Sequence, residues 1–360
     1  MNNAIRLLIL SDNKPGHLTG SLGVLGSLEK LMPVQPATLQ IRLRLKFMRY
    51  PLRVLLNHPG WIDRAPKTVQ RWLLRFLYTI KEPKQLEAAD GFDWLVSAGG
   101  DNSFINAWIA RLYGIKNIYC SSLRGLNPAL FTVVLSLGTG QAGNNEIQME
   151  LAPAPVDREK INEQGRLFRA AQKLENETVW AVLVGGDGAG YRYDRSSMDL
   201  LAGGLLALAE RHKARLLITT SRRTGLKLEQ TLKAHLDTHP AVAYATYFNH
   251  QPEKVVAKFL GAADVVFCTA DSGSMITEAM AAGKPVYVLV PEQVKPQPFY
   301  QAFLQQHLDL QHIKQTPLHA LPALDVQQDA ATYFHLLEND PISELAGKIG
   351  AWFKPEASCE

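Results

Sequence analysis

Cysteine is scarce: the 360 residues hold three, Cys120, Cys268 and Cys359, with no Cys-x-x-Cys pair and no metal-ligand spacing. That excludes a disulfide framework and a zinc module. Cys120 and Cys268 sit in apolar runs and read as buried reduced thiols, which suits a cytoplasmic protein. No apolar run approaches the roughly 18 residues that a membrane-spanning helix needs. The run that ends at Leu10 is short and gives way at once to Ser11-Asp12, so it reads as a first strand rather than a signal peptide. The sequence also lacks an Asp-x-Asp pair, and nothing in it calls for a metal. Acidic residues are missing locally: between positions 41 and 84 eleven cations face only Asp63 and Glu82. Overall the formal charge is a mild +4, with 46% hydrophobic and 20% charged residues. Such a chain has enough apolar surface for about two ordinary domains.

What is present is a repeated pattern of strand, small-residue turn and helix. The clearest case is Ala262 to Pro291, where Val265, Val266 and Phe267 lead into Asp271-Ser272-Gly273-Ser274, then an Ala-rich helical segment and the run Val286–Val290. This is a βαβ unit. Its turn sets free backbone N–H groups at a helix start, where the helix dipole favours an anion. Glu278 follows Ser274 by one turn on the same helical face. A carboxylate there suits a sugar hydroxyl rather than a phosphate, as the acidic residue of dinucleotide folds does.

In chain order, Ile5–Leu10 is a strand that ends in a loop carrying Lys14, Gly16 and His17, followed by a helix through Leu22, Leu25, Leu28 and Leu31. Open α/β sheets bind ligands at such a strand end. His17 is read as a general base, as a hydrogen-bonding group for a phosphate or hydroxyl, or as a solvated loop histidine. Residues 42–84 then interleave Arg42, Lys46, Arg49, Arg53, Lys67, Arg71 and Arg75 with Phe47, Tyr50, Trp61, Trp72, Phe76 and Tyr78. Cations at 67, 71 and 75 follow one helical face, as in a basic amphipathic helix on an anionic membrane or an ordinary solvated surface helix. No nucleic-acid module accompanies the charge, and nucleic acid is not expected as a partner. A second βαβ unit follows, with Gly99-Gly100-Asp101 in its turn. These glycines either admit a ligand to the backbone or serve helix-to-strand packing.

Prolines followed by charge over 151–166 suit a domain linker. We expect a first domain over 1–155, a linker over 156–175 and a second domain over 176–340. An amphipathic helix follows at about 341–354. In the second half, strands end in Gly185-Gly186, in Ser221-Arg222-Arg223-Thr224 and in Ser272-Gly273-Ser274-Met275. Their loops gather on one sheet edge, where glycines admit a ligand, an arginine binds phosphate bidentately and a helix start adds its dipole. With Glu278 they form a site for a nucleoside diphosphate. The fold class is α/β, with two parallel sheets covered by helices.

Lys14-Pro15-Gly16-His17, Gly185-Gly186, Ser221-Arg222-Arg223-Thr224, Asp271-Ser272-Gly273-Ser274-Met275, Glu278-Ala279 and Gly283-Lys284-Pro285-Val286 together resemble the mitochondrial-fission ELM-type family. The resemblance covers most of the chain and is dense in the second half. It implies the two-domain GT-B fold, two Rossmann-like domains facing a cleft, a return of the helix at about 341–354 to the first domain, and transfer of a sugar from a nucleoside diphosphate sugar. It departs at Phe248–Glu253, which lacks an Asn-Pro-Tyr spacing, and at Leu137–Glu150, which lacks a Pro-x-His-Asp pattern. Base recognition and the acceptor side are thus left open. By resemblance the donor diphosphate lies near Arg222, Arg223 and the amides at 185–186 and 272–275, and Glu278 holds the ribose. The first domain brings the acceptor past Lys14, Gly16, Gly99 and Gly100, with His17 as base and Asp101 behind it. The acceptor is expected to be a lipid-borne saccharide at the inner membrane surface, and the enzyme to need neither metal nor further cofactor. A sugar-nucleotide epimerase and a non-catalytic membrane scaffold are the alternatives.

Overall fold

The computed structural model describes residues 4–58, 60–137 and 143–353. Cys359, the glycine-rich stretch at 138–142 and the last position expected in the C-terminal helix lie outside them. The chain divides into two compact units. One runs through Pro155 and resumes at Pro341; the other is Val156–Asp340.

The first unit begins with β1 (Ile5–Ser11), α1 (Pro15–Glu29) and β2 (Val34–Leu43). Next come α2 (Arg49–Asn57), α3 (Gly60–Arg64), α4 (Lys67–Leu77), β3 (Tyr78–Ile80) and α5 (Pro83–Glu87). Then follow β4 (Trp94–Ala98), α6 (Asn102–Tyr113), β5 (Lys116–Cys120), β6 (Val133–Leu137) and β7 (Glu146–Met149). The seven strands lie in the order β3-β2-β1-β4-β5-β6-β7, all neighbours parallel except β2 and β3. Leu7 and Ile9 of β1 enter one core and Leu8 and Leu10 another, so the sheet is buried on both faces. Burial on two faces is why its strands read as unbroken apolar runs.

The second unit starts with α7 (Arg158–Gln172), β8 (Thr178–Val184), β9 (Tyr191–Arg192), α8 (Arg195–His212) and β10 (Ala214–Thr220). It continues with α9 (Gly225–Leu236), β11 (Val242–Thr246), α10 (Val256–Ala262), β12 (Val265–Thr269) and α11 (Gly273–Ala281). It closes with β13 (Val286–Val290), β14 (Gln293–Val294), α12 (Pro298–Asp309), β15 (Ile313–Pro317) and α13 (Val326–Thr332). Its main sheet has the order β11-β10-β8-β12-β13-β15, all parallel. Counted from its own first strand this is 3-2-1-4-5-6, the doubly wound order, whose direction of winding reverses between β8 and β12. The sheet of the first unit reverses in the same way between β1 and β4.

Residues 156–175, expected to be a linker, are instead mostly helix. Asp157 caps α7 by accepting from the amides of Glu159 and Lys160 at 3.2 and 3.3 Å. Ile161, Gly165 and Phe168 form its buried stripe. A side-chain carbon on Gly165 or Gly261 would overlap the backbone of the facing helix, so these glycines let α7 and α10 pack at close range. Prolines and charge marked the approach to this helix and its solvated side. Further on, α14 (Pro341–Ile349) packs on α1, with Leu345 and Ile349 in one core with Val24 and Leu28. A short 3-10 turn after it stacks Phe353 on Trp94, ring centroids 4.3 Å apart.

Candidate functional site

Three loops of the second unit leave the carboxyl ends of β8, β10 and β12, which are adjacent in the sheet, at the point where the winding reverses. Asp271 is their hub. Its side chain is fully buried, yet it accepts from Thr269 Oγ1 at 2.7 Å, from Arg223 Nη2 at 2.6 Å and from the amide of Gly186. Burial pushes this carboxyl up to about 6, against the opposing pull of these donors and the Arg223 charge. Thr269 Oγ1 in turn accepts from the amide of Gly185 at 2.7 Å. The amides of Gly185 and Gly186, expected to meet a phosphate, are therefore occupied within the protein. A glycine is needed at 185 because a side-chain carbon there would strike the Asp271 carboxylate.

The loop after β10 is tied down in the same manner. Ser221 Oγ donates to the carbonyl of Gly185 at 2.6 Å and accepts from the amide of Arg223 at 3.1 Å. Thr224 Oγ1 donates to the carbonyls of Gly185 and Val184. These two hydroxyls hold the loop; both arginines are exposed, but Arg223 is the ion-pair partner of Asp271 whereas Arg222 has no carboxylate partner among the described residues. After β12, the first intrahelical bond of α11 runs from the amide of Ile276 to the carbonyl of Ser272 at 3.1 Å. The amides of Gly273, Ser274 and Met275 precede it and point out of the helix start. The hydroxyls of Ser272 and Ser274 lie 3.5 Å apart beside them. Gly273 leaves room for the ring of Tyr300, whose hydroxyl donates to the carbonyl of Ala270 at 2.7 Å.

Glu278 lies one turn further along α11 and is largely buried. Its carboxylate accepts no hydrogen bond from any described residue, and burial alone pushes it up to about 7. A shielded carboxylate without a donor is a costly arrangement that a ligand's hydroxyl groups would relieve. A second buried acid, Glu229, has no motif in the sequence to mark it. It accepts from Thr220 Oγ1 at 2.5 Å and from the amide and side chain of Asn249, fixing the loop after β11.

In the first unit the loops after β1 and β4 meet at that sheet's reversal point. His17 Nδ1 lies 2.9 and 3.0 Å from the two Asp12 oxygens. The partner of His17 is thus Asp12, not Asp101; Asp101 stands at the start of α6, where its charge acts on Tyr78 and Tyr119. Burial would raise the Asp12 carboxyl, but the bonds and charges of His17 and Lys14 outweigh it and hold it at about 2. An ionised Asp12 only accepts, so the Nδ1 that faces it carries a proton, and Nε2 is the ring nitrogen that Asp12 does not engage. Lys14 Nζ is 3.2 Å from Asp12. Gly99 and Gly100 both have positive φ, 65° and 61°, and a side-chain carbon on either would run into the His17 ring. The close approach those glycines permit is therefore made by His17. Gly16 has open space around its Cα. His17, expected in the loop, stands in the first turn of α1, and Asp12 could have been sought as the acid five residues before it.

The family model described as mitochondrial fission ELM1 matches residues 15–335. This chain belongs to that family. No curated protein matches the ELM1-family sequence. Among solved structures, it is similar to the UDP-GlcNAc 2-epimerase of Methanocaldococcus jannaschii, at 12% identity and a TM-score of 0.56 over 97% of this chain and 99% of that one. The Neisseria meningitidis UDP-GlcNAc 2-epimerase, solved bound to UDP-GlcNAc, gives 12% identity and a TM-score of 0.52 over 97% and 98%. The ADP-heptose heptosyltransferase II of E. coli gives 13% and 0.46 over 96% and 98%. The ELM1-family chain shares the fold of the two epimerases, the GT-B type built from two Rossmann-like units. Among its described residues no three His, Cys, Asp or Glu side chains converge on a metal position, and no helix is long and apolar enough to cross a membrane.

Proposed function

We propose that this ELM1-family protein binds a nucleoside diphosphate sugar on its second unit and transfers the sugar to an acceptor hydroxyl. Glu278 carries this reading: a shielded, unpartnered carboxylate one turn behind the free amides of a helix start, at the reversal point of a doubly wound sheet. Ribose hydroxyls supply the donors that Glu278 lacks. The diphosphate meets the amides at 273–275, the hydroxyls of Ser272 and Ser274, and Arg222. As the bond from the anomeric carbon to the phosphate oxygen breaks, negative charge grows on the diphosphate. Groups already aimed at it stabilise the transition state more than the ground state. The acceptor oxygen bonds to the anomeric carbon and its proton passes to Nε2 of His17, with Asp12 steadying the imidazolium. Protein groups thus meet the leaving charge, with no metal or added cofactor in the scheme.

Transfer is favoured over epimerisation because epimerisation wants an acid and a base flanking one carbon, whereas the first unit's switch point offers one His–Asp dyad. We infer the acceptor to be a lipid-borne saccharide at the inner membrane surface, met by a peripheral cytoplasmic protein. The test is calorimetry of nucleoside diphosphates against wild type and Glu278→Gln, followed by product analysis with and without acceptor. Turnover of a nucleotide sugar to its epimer without acceptor would overturn transfer, and failure of every nucleoside diphosphate to bind would overturn the site.

A further inference from the structure

The basic segment of the first unit has apolar groups where a solvated surface needs none. Seven of the seventeen large hydrophobic side chains that are exposed among the described residues fall between Leu45 and Phe76. Phe47, Trp72 and Phe76 are each more than 60% exposed, and Tyr50 and Val54 nearly so. On α4 the inward stripe is Gln70 and Leu74, with Gln70 fixed by the carbonyls of Ile62 and Ala65 and by the indole N–H of Trp108. Trp72 and Phe76 stand on the opposite side, one turn apart. Their rings are stacked with centroids 5.7 Å apart. On α2, Leu52 and Leu56 go inward while Tyr50 and Val54 point out.

The end of β2 meets the end of α4. Arg44 donates through its amide to the carbonyl of Leu77 at 3.0 Å, and through its guanidinium to those of Tyr78 and Arg75 at 3.2 and 3.3 Å. This ties Arg44, the residue before the exposed Leu45, to the end of α4 that carries Phe76. The cations divide into two groups. Arg71 is engaged by Tyr113 and Arg75 by Glu87, so the 67-71-75 stripe is partly structural. Lys46, Arg49, Arg53 and Lys67 have no carboxylate partner among the described residues.

We propose that α2 and α4, with the turn between β2 and α2, form a docking face for an anionic lipid bilayer. Aromatic rings standing among unpaired cations match an interface that is apolar below and negatively charged above. A second copy of this chain would set the same cations against themselves, which disfavours self-association through this face. Nucleic acid would satisfy the cations but not Phe47, Val54 or the Trp72–Phe76 pair. Docking stands independently of the nucleotide site.

The test is co-sedimentation of the full chain with vesicles of phosphatidylcholine alone and of phosphatidylcholine with phosphatidylglycerol. Binding is expected to the anionic vesicles only, and to weaken with salt. The double variant Trp72→Ala/Phe76→Ala should weaken it about a hundredfold, and Lys46→Ala or Arg49→Ala about fivefold each. All are surface changes, so unchanged melting temperatures are expected and separate lost docking from lost folding. Equal binding to both vesicle types, or none to either, would overturn the proposal. So would retardation of an oligonucleotide without vesicle binding, or a dimer in sedimentation that Trp72→Ala dissolves.

Discussion

Replacing Glu278 by Gln should make the protein more stable and a poorer binder of nucleotide at once. The carboxyl sits at about 7 in the folded chain against an ordinary value of 4.5, with burial as the cause. Because the folded value is raised, the native state holds a proton between those two pH values that the unfolded chain has released. Stability from this group is fully present below the ordinary value and is lost as pH rises through 7. The full difference corresponds to about 3 kcal/mol; since part of the side chain reaches solvent, about 2 kcal/mol is the working figure. Gln removes the charge and keeps the shape. Thermal melting at pH 8 should then place Glu278→Gln on the order of 5 °C above wild type, with the gap closing by pH 4. Nucleotide affinity should fall about 10- to 100-fold, the worth of hydrogen bonds to a charged acceptor. In wild type the affinity should also decline as pH drops below about 7, because bound hydroxyls select the ionised form. Equal melting temperatures of variant and wild type at pH 8 would refute the account of Glu278 as a shielded, unpartnered charge. A stabilised variant with unchanged nucleotide affinity would refute its role as the ribose reader.

The two arginines after β10 should separate. Arg222→Ala is expected to weaken nucleoside diphosphate binding about tenfold with no change in melting. Arg223→Ala should cost about 1–2 kcal/mol of stability, discounted because the arginine is 42% exposed. That cost should appear above about pH 6, where Asp271 is ionised, and fade below it; denaturant titration at two pH values checks this. Gly99→Ala forces a side chain into a left-handed backbone position against the His17 ring. Transfer should fall about as far as in His17→Ala, some 10²- to 10⁴-fold, while calorimetric donor affinity stays at the wild-type value. Gly261→Ala should part α7 from α10 and lower stability by about 2–3 kcal/mol, read from the denaturant midpoint.

Strands were legible in the sequence because parallel strands buried on both faces are written as unbroken apolar runs, as in Thr178–Val184 and Val286–Val290. The loops after them were legible as places, since glycine and small residues mark where a chain turns. Which group comes close to a glycine was not written there. At Gly185 it is the Asp271 carboxylate and at Gly99 the His17 ring, both brought in by tertiary contacts. Helix α7 was hidden because its buried stripe holds only Ile161, Gly165 and Phe168 amid charge. Asp12, Glu229 and Asp271 share a further obscurity: a carboxylate that organises neighbouring loops from a buried position is spelled like one on the surface. Arg222 and Arg223 were equivalent as letters, and the ion pair with Asp271 is what tells them apart.

The most direct measurement is isothermal titration of nucleoside diphosphates into the wild-type protein and into Glu278→Gln near pH 7.5, repeated in two buffers of different ionisation enthalpy. At least one nucleoside diphosphate should bind wild type, release part of a proton as the Glu278 carboxyl ionises against the ribose, and bind the variant at least tenfold more weakly without that proton. Binding of equal strength and equal proton release in both proteins would contradict the placement of the nucleotide at α11.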